Sequence, residues 1–173
     1  MENTGTSIKI SDAIDGTIIR IGNALAWLNA VLLVLIIVQV ILRYVFADAL
    51  VIFDELEWHL YAINVMFGLA YGVATGSHIR LDVISNSFSP RRKAKIEIVG
   101  GLFLSIPWIA VVTMHGWDFF YNAWKIGESS VSPLGLPFRW IVKAFIPLGF
   151  LLLGVAIVSQ MIRAFAFLIK KDQ

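Results

Sequence analysis

The sequence contains no cysteine and few charged residues. Only 15% of its 173 residues are Asp, Glu, Lys or Arg, and there are three histidines. The absence of cysteine excludes disulfides, thiolate metal sites, cysteine nucleophiles and cysteine-ligated iron–sulfur clusters. The formal net charge is only +2, and the basic residues form no stripe with interleaved aromatics. Nothing in the composition therefore favours binding to nucleic acid.

Hydrophobic residues dominate the chain. They make up 58% of it, and the mean hydropathy is +0.80, which lies outside the range of soluble globular domains. About 20 mostly apolar residues are needed to cross a hydrocarbon core of roughly 30 Å. Because the apolar residues fall into four such segments, we predict an all-α integral membrane protein that forms a single membrane domain. The four transmembrane spans are expected at residues 24–46, 52–75, 94–117 and 138–169.

The segment before the first span has a different pattern. In residues 10–23, apolar side chains such as Ile14 and Ile18 recur every three or four positions, which predicts an amphipathic helix. We expect this helix to lie in the headgroup plane, with a bend near Gly22. Pro107 and Pro147 fall near the middles of spans 3 and 4, where each removes a backbone hydrogen bond and predicts a kink.

Basic residues near the span ends predict the orientation, since they favour the cytoplasmic side. We expect both termini and the connector after span 2 in the cytoplasm, and residues 48–57 and 118–137 outside. Lys143, shortly inside span 4, is expected to extend its amine back toward the outer interface. The inner side carries Lys9, Arg20, Arg80, Arg91, Arg92, Lys93, Lys95, Lys170 and Lys171.

The start of span 2 is the most polar part of any span. Glu55 and His59 are four residues apart and can share one helix face, and Glu57 follows the same turn. In an antiparallel pair of helices, Arg43 of span 1 would lie at a similar depth. Two interpretations remain open: an ion or proton site within the membrane, or an interfacial ion pair that fixes spans 1 and 2 and contacts a partner.

Glycines form a second pattern in span 2. Gly68, Gly72 and Gly76 repeat every fourth residue. Small residues at this spacing form a flat face on which another helix can pack closely. The spacing does not decide whether that helix belongs to this chain or to another protein.

Three ionisable residues alternate in the connector after span 2, namely His78, Arg80 and Asp82. No nucleophile stands beside a base there, and two ligands without a third make a poor metal site. We interpret the segment as a connector at headgroup level, in which Arg80 meets a lipid phosphate or a carboxylate.

Histidines raise an alternative class of function. His59 and His115 both fall near the outer ends of their spans, and two histidines on facing helices can ligate a haem iron. The alternative function is therefore a haem- or quinone-binding membrane anchor of a redox enzyme.

Two segments together resemble a known family. The segment GSHIRLDVI resembles the G-x-H-I-R-V-D motif in the small membrane subunit of tripartite ATP-independent periplasmic (TRAP) transporters, with Leu81 in place of the commoner valine. The segment SSVSPLGLPFRWIVKAFIPLGFLLLG, which includes Gly135 and Pro137, is similar to that subunit's L-G-L-P … W … I-P-x-G pattern. The acidic start of span 2 also fits, and the resemblance covers residues 43–154.

The resemblance implies a subunit of a sodium-gradient-driven uptake system in a bacterial inner membrane. Such a system has a periplasmic binding protein that captures an organic acid, a large multi-span subunit, and a small subunit like this chain. The small subunit would be a static scaffold in contact with the large subunit, the binding protein and lipid. The resemblance implies no enzyme activity, cofactor or metal, and it assigns the candidate residues named so far to structure or to partner contact.

Overall fold

The computed structural model describes residues 2–77 and 88–170. In these residues the chain forms four long helices: α1 (Glu2–Val45), α2 (Val51–Ala74), α3 (Pro90–Lys125) and α4 (Trp140–Lys170). No strand occurs in the described ranges, so the all-α prediction is confirmed for them.

Three of the described helices, α1, α3 and α4, are long and apolar enough to cross a membrane. Helix α2 has 24 residues, which corresponds to about 36 Å at the usual helical rise. Its length suffices for a span, but Asp54, Glu55, Glu57 and His59 lower its mean hydropathy. A membrane protein is therefore supported by three helices, and the fourth span remains a prediction.

Residues 10–23 do not form a separate helix. They are continuous with the first span in α1, so the predicted bend at Gly22 is wrong. Gly22 instead leaves room for Tyr71 of α2, because a Cβ at Gly22 would lie only 2.9 Å from Cγ of the tyrosine ring. Ile18, which is 2% exposed, packs against one alanine of α2 and one of α4. Ile14 and Ile18 of this segment therefore face protein.

Two glycines of the bundle permit close helix contacts. A Cβ at Gly149 of α4 would lie 2.8 Å from the Cβ of Met66 and 3.0 Å from its carbonyl oxygen. A Cβ at Gly116 of α3 would lie 3.4 Å from Cδ of Pro147. Since helices associate in lipid through van der Waals fit, these two positions permit close approach of α4 to α2 and α3.

The proline of α3 follows a π-helical turn. The turn spans Gly101–Ser105, and the amide of Ile106 donates a hydrogen bond to the carbonyl of Gly101. Pro107 has no N–H to donate, and a π-helical turn is one of the ways in which a helix accommodates such a break. The predicted irregularity near Pro107 is therefore a π turn, whereas Pro147 lies fully buried inside α4.

The first turns of α1 are tied to the second half of α4 by polar contacts. Ser11 and Ser159 are both 0% exposed, and the Ser11 hydroxyl donates to the Ser159 carbonyl at 2.8 Å. Close by, Arg163 contacts Asp12 at 2.9 Å and Asp15 at 2.5 Å. These contacts hold the start of α1 against the bundle.

Replacing Arg163 with alanine should destabilise this contact between α1 and α4. The side chain of Asp15 is only 13% exposed, so it would lose its cation in a poorly hydrated place, at a cost of about 1–2 kcal/mol. A thermal melt of the purified chain measures the loss, and Arg163→Lys is the matched control that keeps the charge. A double variant with Asp15→Asn should recover part of the stability, whereas strictly additive losses would contradict the coupling.

Candidate functional site

The connectors at residues 46–50 and 126–139 lie at one end of the bundle, which we call the loop end. Glu55, in the first turns of α2, contacts the second connector directly. Its Oε1 accepts a hydrogen bond from the Ser130 hydroxyl, and its Oε2 accepts one from the Leu136 amide at 2.6 Å. One carboxylate thus binds both sides of the connector before α4.

Gly135 allows this contact to form. A Cβ at this position would overlap the Ser130 hydroxyl oxygen and would lie 2.8 Å from Glu55 Oε1. No flexible side-chain end is free to move aside there, because both atoms are committed to their mutual hydrogen bond. We call Glu55, Ser130, Gly135 and Leu136 the Glu55 clamp.

The same connector also folds on itself. The Ser130 amide donates to the Leu136 carbonyl at 3.1 Å, and the Gly135 amide donates to the Ser132 carbonyl at 3.0 Å. Pro137 is exposed directly after this turn. The structure therefore places Gly135 inside the clamp and Pro137 on the surface beside it.

Arg43 forms an ion pair with a residue that the sequence did not single out. Its guanidinium lies 3.2 Å from Asp54 Oδ1, and the Gln39 amide nitrogen donates to the same oxygen at 3.0 Å. Glu55 turns to the connector instead, so the ion pair that joins the two helices is Arg43–Asp54. With side chains 54% and 44% exposed, the Arg43–Asp54 pair stabilises the α1–α2 contact only modestly.

The histidines give no support to a haem site. Nδ1 of His59 donates to the backbone carbonyl of Glu55 at 2.5 Å, within its own helix, and His115 is exposed on α3. Among the described residues, no group of three or more His, Asp or Glu side chains is placed to hold a metal ion. The redox-anchor alternative is therefore not supported.

A second polar contact at the loop end involves a residue that sequence reasoning missed. The Lys143 amine lies 2.5 Å from Glu128 Oε2 and 3.9 Å from the centre of the Phe119 ring. The lysine side chain is 13% exposed, so its amine is held by this connector and has little contact with solvent. The sequence could have suggested this pair, because Glu128 is the one acidic residue in the connector at residues 126–139.

The glycine face of α2 does not pack against another described helix of this chain. A Cβ at Gly68 or Gly72 would meet no atom within 4 Å. Gly76 has a different function: its φ of +69° is in the left-handed region, and its amide donates to the Val73 carbonyl at 3.1 Å, which ends α2. The open space at Gly68 and Gly72 gives no support to packing of this face against span 1, and packing against another protein stays a prediction.

The connector after α2 lies largely outside the described residues. His78, Arg80 and Asp82 all fall in this part. Their position at headgroup level therefore stays a prediction.

A groove of about 450 Å³ lies between α3 and α4, with one side chain of α1 at its edge. Its lining is almost entirely aliphatic, and Thr113 is the polar side chain among the lining residues. Such a lining lacks the convergent polar groups that a site for a charged solute requires. The groove is lined by Ile14, Ile106, Ile109, Ala110, Thr113, Met114, Leu151, Gly154, Val155 and Val158.

The described features define an all-helical membrane protein in which charged side chains join helices to one another and to a connector. Residues 32–167 match the family described as tripartite ATP-independent periplasmic transporters, DctQ component. Because this match covers most of the chain, the protein belongs to that family and is a transporter component, not an enzyme.

The chain is also similar to the C4-dicarboxylate TRAP transporter small permease protein DctQ of Rhodobacter capsulatus. The two are 35% identical over 98 residues, which is 56% of this chain and 41% of that protein. The aligned part thus spans less than half of the relative's length.

Proposed function

We propose that this chain is the small scaffold subunit of a TRAP transporter that imports an organic acid into a bacterium. A periplasmic binding protein delivers the acid, a large multi-span subunit carries it across the inner membrane, and the sodium gradient drives uptake. The family membership and the small permease relative support this proposal.

The Glu55 clamp is the observation that carries the proposal. It joins the acidic start of α2 to the connector with the L-G-L-P sequence, so two segments that resemble the family meet in one place. The contact uses both oxygens of the carboxylate to hold a loop. A connector held in place at the loop end suits a subunit that presents a docking face to the binding protein.

The proposal includes α2 as the fourth membrane span, with both termini in the cytoplasm. Helix α2 contacts α1 at two well-separated points, Gly22 against Tyr71 and Gln39 against Asp54. These points are about 26 Å apart along either helix. Since α1 is apolar enough to cross a membrane, a helix that follows it over this distance crosses as well.

The partner-facing surface includes the exposed glycine face of α2, Gly68 and Gly72. The open space above both glycines leaves room for close approach of a helix of the large subunit. In the same proposal, His78, Arg80 and Asp82 order the cytoplasmic connector at the headgroups or against the large subunit.

A pull-down of the tagged chain in mild detergent, with mass spectrometry of the bound proteins, tests the proposal. The wild-type chain should recover one large multi-span protein. Gly72→Leu should recover roughly tenfold less of it, which corresponds to about 1.4 kcal/mol of lost contact, because the leucine blocks helix approach.

Gly16→Leu is the matched control, since a Cβ at Gly16 also meets no atom within 4 Å. This control should leave recovery unchanged, and both variants should melt like the wild-type chain. Equal recovery with Gly72→Leu would remove the glycine face from the proposal. Failure of the wild-type chain to recover any multi-span protein would contradict the scaffold function itself.

A further inference from the structure

Two buried side-chain oxygen atoms, one on α1 and one on α2, have no hydrogen-bond donor. The first is Oε1 of Gln39, a residue that is only 3% exposed, and the second is Oε1 of Glu57. Buried acceptors are normally paired, so both atoms require an explanation.

The orientation of the Gln39 amide is determined by its surroundings. Its nitrogen donates to the Leu50 carbonyl at 3.3 Å and to Asp54 Oδ1 at 3.0 Å. Exchanging nitrogen and oxygen would set the amide oxygen against two acceptors. The oxygen must therefore point away from Leu50 and Asp54, and it needs a donor from elsewhere.

Glu57 is the candidate for that donor. It follows Asp54 by three residues, and residues at this spacing lie next to each other on a helix face. Asp54 already bonds Gln39 across the α1–α2 contact, so Glu57 is the next ionisable side chain along the same face. An ionised carboxylate, however, has no proton to donate.

We propose that Glu57 binds a proton at neutral pH and donates it, through its own O–H, to the amide oxygen of Gln39. The site is a proton-binding site built from Gln39, Arg43, Asp54 and Glu57, which we call the α1–α2 polar cluster. The bound proton turns the carboxyl group of Glu57 into a hydrogen-bond donor, and the Gln39 oxygen accepts that hydrogen bond. Because neutral Glu57 carries no charge, the cluster also needs no second cation beside Arg43.

The charges around Glu57 favour its neutral form. Arg43 of α1 is the nearby cation, and it is already paired with Asp54 at 3.2 Å. On α4, which also packs against α2, Lys143 is engaged by Glu128 at 2.5 Å. With Glu57 neutral, the cluster carries one positive and one negative charge, which suits a site next to apolar helices.

Infrared spectroscopy of the full chain at pH 7 tests this proposal. We expect the carbonyl stretch of a protonated carboxylic acid, sensitive to deuterium exchange, in the wild-type protein. The band should be lost in Glu57→Gln and kept in Glu55→Gln, the matched control two residues away. Absence of the band in the wild-type protein, or its persistence in Glu57→Gln, would overturn the proposal, since a water molecule would then supply the missing donors.

Thermal melts give a second readout. In the unfolded chain Glu57 releases its proton at ordinary carboxyl pH, whereas the folded protein has to keep it, so the wild-type stability should fall as pH rises toward 8. Glu57→Gln has a neutral side chain with an N–H donor at every pH. It should melt at or above the wild-type temperature at pH 7, with a difference that grows with pH. A Glu57→Gln protein that melts below wild type at pH 7 would show that the ionised form is the one the fold uses.

Discussion

Replacing Gly149 with valine should separate α2 from α4 and lower the melting temperature of the purified chain. A Cβ at this position would lie 2.8 Å from the Met66 Cβ and 3.0 Å from the Met66 carbonyl oxygen. The helix backbone cannot move aside as a flexible side chain can, so we expect a loss of about 3 kcal/mol. For a domain of this size the loss corresponds to roughly 6–12 °C.

Gly72→Val is the matched control, with the same chemical change on the neighbouring helix. A Cβ at Gly72 meets no atom within 4 Å, so the isolated chain should melt within about 2 °C of wild type. The spacing of the glycines alone would rank these two variants in the opposite order. Equal losses in the two variants would show that α2 and α4 do not meet closely at Gly149.

Removing the carboxylate of Glu55 should release the connector at residues 126–139. In Glu55→Ala the Ser130 hydroxyl and the Leu136 amide both lose their acceptor, so the two contacts that tie the connector to α2 are gone. Amide hydrogen exchange measured by mass spectrometry should show the connector exchanging about 10–100-fold faster.

Two further variants test whether the clamp causes this effect. Gly135→Ala should reproduce the faster exchange with the carboxylate still present, because its Cβ would lie within 2.8 Å of Glu55 Oε1. Asp118→Ala, at an exposed acidic residue of α3, should leave the exchange unchanged. Unchanged protection in Glu55→Ala would mean that the connector's own backbone hydrogen bonds suffice to order it.

The polar start of span 2 shows where prediction from sequence stops. The sequence places Arg43 at the depth of a group of acidic residues, and this placement is correct. It does not select Asp54 over Glu55, because an error of one residue turns a helix by about 100°. Only the packed structure shows that Glu55 faces the connector while Asp54 faces α1.

The glycines are a second example of what the sequence cannot predict. Regular spacing singles out Gly68, Gly72 and Gly76, yet the close contact between α2 and α4 involves the isolated Gly149. The spacing of the glycines along the sequence shows which of them share a helix face. It does not show what packs against that face. Gly76 instead ends α2, because its positive φ is a conformation that glycine adopts readily.

The sequence by itself determined the membrane class, the all-helical fold and the transporter family. These properties depend on apolar content along the chain and on short local motifs, which the order of residues records directly. Tertiary structure alone decided the continuity of α1 through Gly22, the partners of Glu55 and Arg43, and the glycines at which helices meet. The physical reason is that these features depend on the rotation and offset of one helix against another, and packing of whole helices sets both.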